Sequence, residues 1–131
     1  MKKIQMVDLQ GQYQSIEKEV NERFSEVLSG ASFINGPQVH EFQKSLEEYL
    51  GVKHVIPCAN GTDALQIAMM GLGLQPGDEV ITADFTFAAT VEVIALLGLT
   101  PVLVDVLPDT FMIDPKAVEK AITSKTKAIV P

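Results

Sequence analysis

From residue 52 onward, short apolar runs alternate with stretches in which apolar residues recur at helical spacing. This alternation is typical of a parallel sheet, because parallel strands need crossover connections and helices supply them. The segments predicted as strands are residues 52–58, 79–83, 101–106 and 128–130. The segments predicted as helices are residues 62–72, residues 88–97 and a stretch that Asp114 caps and Pro115 opens. The pattern therefore predicts an α/β fold, with a mostly parallel sheet and flanking helices.

Two helices are predicted before this alternation begins. Apolar residues at helical spacing follow Ser15, a suitable N-cap, and the pattern stops at Gly30. The same spacing follows Pro37 and stops at Gly51, and proline at the start with glycine just past the end is typical of helices. We therefore assign residues 1–51 to an N-terminal helical segment and the rest of the chain to the α/β part.

The composition narrows the classes of partner. The net charge is −7 and Arg23 is the single arginine, whereas nucleic acids and anionic membranes require clustered basic residues. We therefore expect neither as a partner and favour small molecules. Cys58 is the single cysteine, which fits a reducing, cytoplasmic location. The longest apolar run, residues 87–99, is too short to cross a bilayer.

The junction at Gly61, Thr62 and Asp63 is a candidate phosphate site, because an apolar run there leads into a predicted helix. The first N–H groups of a helix have no intrahelical partner and lie at the positive end of its dipole, so they bind anions. Gly61 permits close approach, and the hydroxyl of Thr62 either caps the helix or donates to a phosphate oxygen. An ordinary capped helix explains the same residues. The carboxylate of Asp63 would also repel a phosphate unless it points away.

A second candidate region lies between a predicted strand and the helix that follows it, at Phe85 and Phe87. Ligands of open α/β sheets bind outside the edge at which the strands end. The two rings therefore either fill the core or offer an aromatic face to a flat ligand. We expect this region and the Gly61 junction to be neighbours.

Other candidates are weaker. Asp105 stands near the end of a predicted strand at the same edge, where it either contacts a ligand or accepts from local backbone N–H groups. Cys58 is predicted to be buried and inert. None of the lysines follows an apolar strand end, where desolvation would prepare an amine for covalent catalysis.

Several motifs follow one another along the chain. They are FINGP at residues 33–37, NGTDAL at 60–65, PGDEVI at 76–81, FTFAAT at 85–90, PVLVDV at 101–106 and TKAI at 126–129. In this order they resemble the DegT/DnrJ/EryC1/StrS family of PLP-dependent sugar aminotransferases. The resemblance implies a fold-type I, aspartate aminotransferase-like protein that binds pyridoxal 5′-phosphate (PLP). It also implies a homodimer that transfers an amino group from glutamate to a nucleotide-linked keto-sugar. Residues 52–131 would then be the first half of the PLP-binding large domain.

The resemblance assigns roles to four residues. Gly61 and Thr62 correspond to the cofactor-phosphate site, Asp63 contributes its backbone N–H, and Phe87 stacks on the pyridine ring. The family's aspartate that binds the pyridine nitrogen and its covalent lysine lie beyond residue 131, so the resemblance assigns no catalytic residue to this chain. We expect no metal ligand either, because the single cysteine excludes a multi-cysteine site and neither histidine has a second His or Cys at ligand spacing. The sequence also stops directly after an apolar run, and we expect it to be truncated at its C-terminus and inactive alone.

Two alternatives to an aminotransferase remain. Some relatives in this family replace the lysine and dehydrate sugars instead. The motifs therefore resemble those of a PLP-dependent sugar dehydratase as well. A non-catalytic regulatory module that binds a phosphate would use the same strand-to-helix junction.

Overall fold

The computed structural model describes residues 6–131, so residues 1–5 of the predicted N-terminal segment lie outside the described residues. The chain divides into two compact units, a first unit that ends at Pro57 and a second unit that covers Cys58–Pro131. Within residues 6–131, none of the helices combines the length and the apolar character that crossing a membrane requires.

The first helix begins earlier than predicted. Helix α1 covers Leu9–Gly30, because Asp8 acts as the N-cap and its Oδ1 accepts a hydrogen bond of 2.9 Å from the Gly11 N–H. The predicted cap, Ser15, lies inside the helix, where its hydroxyl donates to the Gln12 carbonyl at 2.7 Å. Serine hydroxyls inside helices commonly bond to a preceding carbonyl in this way, so Ser15 does not mark the boundary.

The second helix confirms its prediction. Helix α2 covers Pro37–Leu50 with Pro37 at its start. Gly51 follows in the left-handed conformation, with φ of 65°, and its N–H donates to the Glu47 carbonyl. Glycine adopts this conformation without a steric cost, which explains why the helix ends there.

The strand predicted over residues 52–58 is wrong. These residues join no sheet in the structure, although the Val55 N–H donates to Glu47 Oε1 at 3.0 Å. A strand exists only when another strand offers hydrogen-bonding partners, and the described sheet contains none for this segment.

The second unit alternates helices and strands as predicted. Its elements are α3 (Gly61–Gly71), β1 (Glu79–Ala83), α4 (Ala88–Leu96), β2 (Thr100–Val104), α5 (Pro115–Ala121) and β3 (Thr126–Val130). The strands form a parallel sheet in the order β2-β1-β3, so β1 is central and both of its neighbours run in its direction. The predicted bounds of β1 are confirmed, whereas β2 ends before Asp105.

The core of the second unit lies around β1. Three successive β1 residues, Val80, Ile81 and Thr82, are at most 1% exposed. The side chains that form the core cluster come from α3, β1, α4 and the segment before β2, and they are Met69, Val80, Val93, Ile94 and Leu99. Near-complete burial of a central strand on both faces is the normal state of a parallel sheet.

Two turns set the direction of α3 and α4. The turn after α3 and the turn after α4 meet where β1 and β2 begin, since the Gly77 N–H donates to the Gly98 carbonyl at 3.0 Å. Gly98 has φ of 72°, which a glycine adopts most easily. The two helices pack on each other. Both helices therefore begin at the opposite edge, the C-terminal edge of the sheet, where β1 ends.

Candidate functional site

The first turn of α3 has two free backbone donors. Asn60 is the N-cap, with its Oδ1 accepting from the Asp63 N–H at 2.9 Å and its carbonyl accepting from the Ala64 N–H at 3.1 Å. Among residues 6–131, the N–H groups of Gly61 and Thr62 have no acceptor. Two N–H groups at the positive end of the α3 dipole are therefore available to an anion. The N–H of Asp63 is used by the cap, and its part in anion binding stays a prediction.

The side chains of this turn leave the site open. Thr62 is half-buried and does not cap the helix, and its hydroxyl has no hydrogen-bond partner in the part of the chain that the structure describes. The Asp63 carboxylate is held by Asn60, whose Nδ2 donates to Asp63 Oδ2 at 3.2 Å. A Cβ built on Gly61 would meet no atom within 4 Å. The space beside Gly61 is therefore free for a ligand.

The two phenylalanines at the start of α4 do not fill the core. Phe87 is the N-cap residue of α4 and its side chain is 79% exposed. Phe85 is 66% exposed, and its ring lies 5.3 Å from the ring of Phe111, centroid to centroid, at an interplanar angle of 40°. The core interpretation is therefore wrong for both rings. Phe87 forms no aromatic pair within residues 6–131, so its ring face is available at the C-terminal edge of the sheet.

The weaker candidates, Asp105 and Cys58, make only local hydrogen bonds to the backbone. Asp105 Oδ1 accepts from the Val106 N–H at 2.7 Å, which is the backbone role that the sequence left open. Cys58 is exposed rather than buried, because the strand predicted around it does not form, and its Sγ donates to the Asn60 carbonyl at 3.4 Å. Within residues 6–131, no group of three or more His, Cys, Asp or Glu side chains is placed to hold a metal ion.

Two residues of this region were missed by sequence reasoning. Asn60 carries a readable signal, because an Asn followed three residues later by Asp is a variant of the capping box. Phe111 carries none, since its contact with Phe85 joins segments that are 26 positions apart in sequence and depends on how the sheet brings them together.

A model of the DegT/DnrJ/EryC1/StrS aminotransferase family matches residues 14–131. A Pseudomonas aeruginosa protein, UDP-2-acetamido-2-deoxy-3-oxo-D-glucuronate aminotransferase, is 48% identical over 98% of this chain and 36% of its own length. The crystal structure of a DegT/DnrJ/EryC1/StrS aminotransferase from Brucella abortus has a TM-score of 0.92 at 47% identity, over 98% of this chain and 36% of that one. The Bacillus subtilis protein NtdA, solved with bound cofactor PMP, has a TM-score of 0.84 at 41% identity, over 88% of this chain and 26% of that one.

These similarities define the structural class of the chain. The fold is that of the fold-type I PLP aminotransferases, here seen as a parallel three-stranded sheet with flanking helices. The chain belongs to the DegT/DnrJ/EryC1/StrS aminotransferase family, and the resemblance seen in its motifs is confirmed. It spans about a third of the length of the curated relatives that it matches.

Proposed function

We propose that this chain is the part of a PLP-dependent aminotransferase that binds the cofactor's phosphate and ring. The observation that carries the proposal is the placement of two free N–H groups and an exposed aromatic ring at one edge of the sheet, at Gly61, Thr62 and Phe87. Family membership supports it, and so does the NtdA neighbour, because PMP is the amine form of PLP.

The residues present fit the cofactor. A phosphate needs donors and an approach without steric obstruction, and the start of α3 offers both beside Gly61. The hydroxyl of Thr62 is free to donate to a phosphate oxygen. A pyridine ring needs a flat apolar face, and Phe87 offers one.

PLP, when bound, supplies the electron sink that amino transfer requires. This chain's own residues bind and orient it. Gly61 and Thr62 hold the phosphate through backbone N–H groups, and Phe87 fixes the plane of the ring by stacking. The residues that protonate the ring nitrogen and bond covalently to the cofactor lie beyond residue 131 in our proposal, so no proton transfer is assigned to this chain.

We assign the complete protein a nucleotide-linked keto-sugar as substrate and glutamate as amino donor. The Pseudomonas relative supports the sugar class, because its name describes a UDP-linked 3-oxo sugar acid. The net charge of −7 supports small-molecule partners over nucleic acid. We further propose a cytoplasmic homodimer, with residues 1–51 as an N-terminal helical segment and residues 52–131 as the first half of the PLP-binding domain.

The test is to purify the complete protein, remove its cofactor, measure PLP affinity, and then assay amino transfer from glutamate to a UDP-linked 3-keto sugar. We expect PLP binding and formation of the amino sugar. Loss of water from the sugar without amino transfer would identify the dehydratase alternative. Specific PLP binding without turnover on a panel of keto-sugar nucleotides would favour the regulatory module, and absence of PLP binding would overturn the cofactor site.

A further inference from the structure

Phe111 adopts a backbone conformation that an aromatic residue rarely adopts. Its φ is 57°, in the left-handed region where a Cβ is crowded by the following carbonyl. The turn around it is closed by backbone hydrogen bonds of 2.8 Å from the Phe111 N–H to the Leu107 carbonyl and from the Leu107 N–H to the Met112 carbonyl. Glycine would make the same turn without strain, so the turn itself gives no reason for a phenyl ring at this position.

The ring of Phe111 has a contact on another segment, the Phe85 ring at 5.3 Å. Phe85 belongs to residues 84–87, the connection between β1 and α4. This connection is anchored at its start by the Asp84 N–H, which donates to the Val104 carbonyl at 2.9 Å, and at its end by the first turn of α4. Among the described residues, neither Phe85 nor Thr86 donates a hydrogen bond. The aromatic pair therefore holds the middle of the connection.

We propose that Phe111 is a positioning residue for the cofactor ring, acting through Phe85. Its contact keeps residues 84–87 in the conformation that presents Phe87 at the C-terminal edge of the sheet. The inference rests on the proposed function, in which Phe87 stacks on the pyridine ring. Without the contact, residues 84–87 sample more conformations, and cofactor binding then carries the added entropic cost of ordering them.

The test uses the complete protein without cofactor and measures its affinity for PLP. Phe111→Gly removes the ring and relieves the strained φ, so a role confined to the turn predicts unchanged or higher stability and unchanged affinity. The positioning role instead predicts about two- to tenfold weaker PLP binding, the range that a lost aromatic pair allows. Phe111→Tyr should restore the affinity. Met112→Leu, a change in the same turn, should leave it unchanged. If Phe111→Gly does not fold, Phe111→Asn replaces it, because Asn tolerates the same conformation.

A second experiment tests whether the effect of Phe111 on PLP affinity depends on the ring of Phe87. When Phe111→Gly is combined with Phe87→Leu, PLP binding should be no weaker than with Phe87→Leu alone, because the positioned ring is already gone. Additive losses would overturn the proposal.

Amide hydrogen exchange in the cofactor-free protein gives a readout that does not involve PLP. The amides to follow are the two that anchor the connection by hydrogen bonds, that of Asp84 to the Val104 carbonyl and that of Thr90 to the Phe87 carbonyl. We expect faster exchange with Phe111→Gly and wild-type exchange with Phe111→Tyr. Unchanged exchange, or unchanged PLP affinity with Phe111→Gly while Phe87→Leu weakens binding, would overturn this inference and leave the proposed function standing. If the wild-type protein binds no PLP, the proposed function fails and the inference with it, whatever the exchange rates show.

Discussion

Thr62 offers two groups to a ligand, a backbone N–H without an acceptor and a hydroxyl without a partner among the described residues. Thr62→Val keeps the shape of the side chain and removes the hydroxyl. We expect the complete protein to lose roughly 1–3 kcal/mol of PLP binding free energy, the usual loss for a hydrogen bond to a charged group. Titration of the cofactor-free protein measures this, and Thr62→Ser, which keeps the hydroxyl, should bind normally. Equal PLP affinity of the valine variant and the wild type would contradict the phosphate assignment.

The proposed stacking of Phe87 on the pyridine ring is tested by substitution of that residue. Because its side chain is 79% exposed, Phe87→Leu should lower the free energy of unfolding by about 1 kcal/mol or less. PLP should nevertheless bind more weakly, since leucine lacks a flat face to stack on the pyridine ring. Phe87→Tyr keeps the face and serves as the matched control. Chemical unfolding and PLP titration of the same samples separate the two effects, and a leucine variant with normal PLP affinity would leave the stacking role without support.

The N-cap of α3, Asn60, is expected to stabilise the start of that helix. Asn60 Oδ1 holds the Asp63 N–H at 2.9 Å, so Asn60→Ala should reduce the stability of the cofactor-free protein by about 0.5–2 kcal/mol. Asn60→Ser supplies another oxygen at the cap and should recover most of the loss. Urea denaturation gives the comparison. An alanine variant as stable as the wild type would show that the cap contributes nothing to folding.

Among the elements, the sequence predicted those whose boundaries are set locally. Pro37 and Gly51 frame α2 through their own backbone preferences, and the bounds of β1 follow from an apolar run between turn residues. The strand over residues 52–58 was wrong because pairing depends on a neighbour that no local pattern reveals. The aromatic pair was missed for the same reason, since its two rings meet only after the sheet has formed. The sequence thus located the helix start and the two phenylalanines of the candidate site, but it left the exposure of the rings open and did not reveal the contacts that hold them.

At the scale of the whole molecule, the loop between α1 and α2 bears on assembly. Ile34 is 93% exposed and Phe33 is 66% exposed, and large apolar side chains side by side on a surface are typical of an interface. We predict that the complete protein is a homodimer with this loop near the shared active site. Light scattering should report a dimer, and Ile34→Asp should shift it toward monomer. The control is Ile67→Asp, at an exposed position on α3. A monomeric wild type at working concentration would contradict this prediction.

The 131-residue chain by itself should not transfer amino groups. Within residues 6–131, the lysines lie on helices, at the bend of Lys53, in the turn of Lys125 or, for Lys127, inside β3. None of them follows a strand at the C-terminal edge of the sheet, where the cofactor is proposed to bind. Exposed lysines such as Lys116 and Lys125 react with PLP through their amines without placing it beside Phe87, so colour formation alone is not evidence of a site. The decisive measurement is glutamate-dependent formation of an amino sugar, assayed beside the complete protein under identical conditions. Turnover by the isolated chain would mean that one of its own lysines serves the reaction, and it would overturn our placement of the catalytic lysine beyond residue 131.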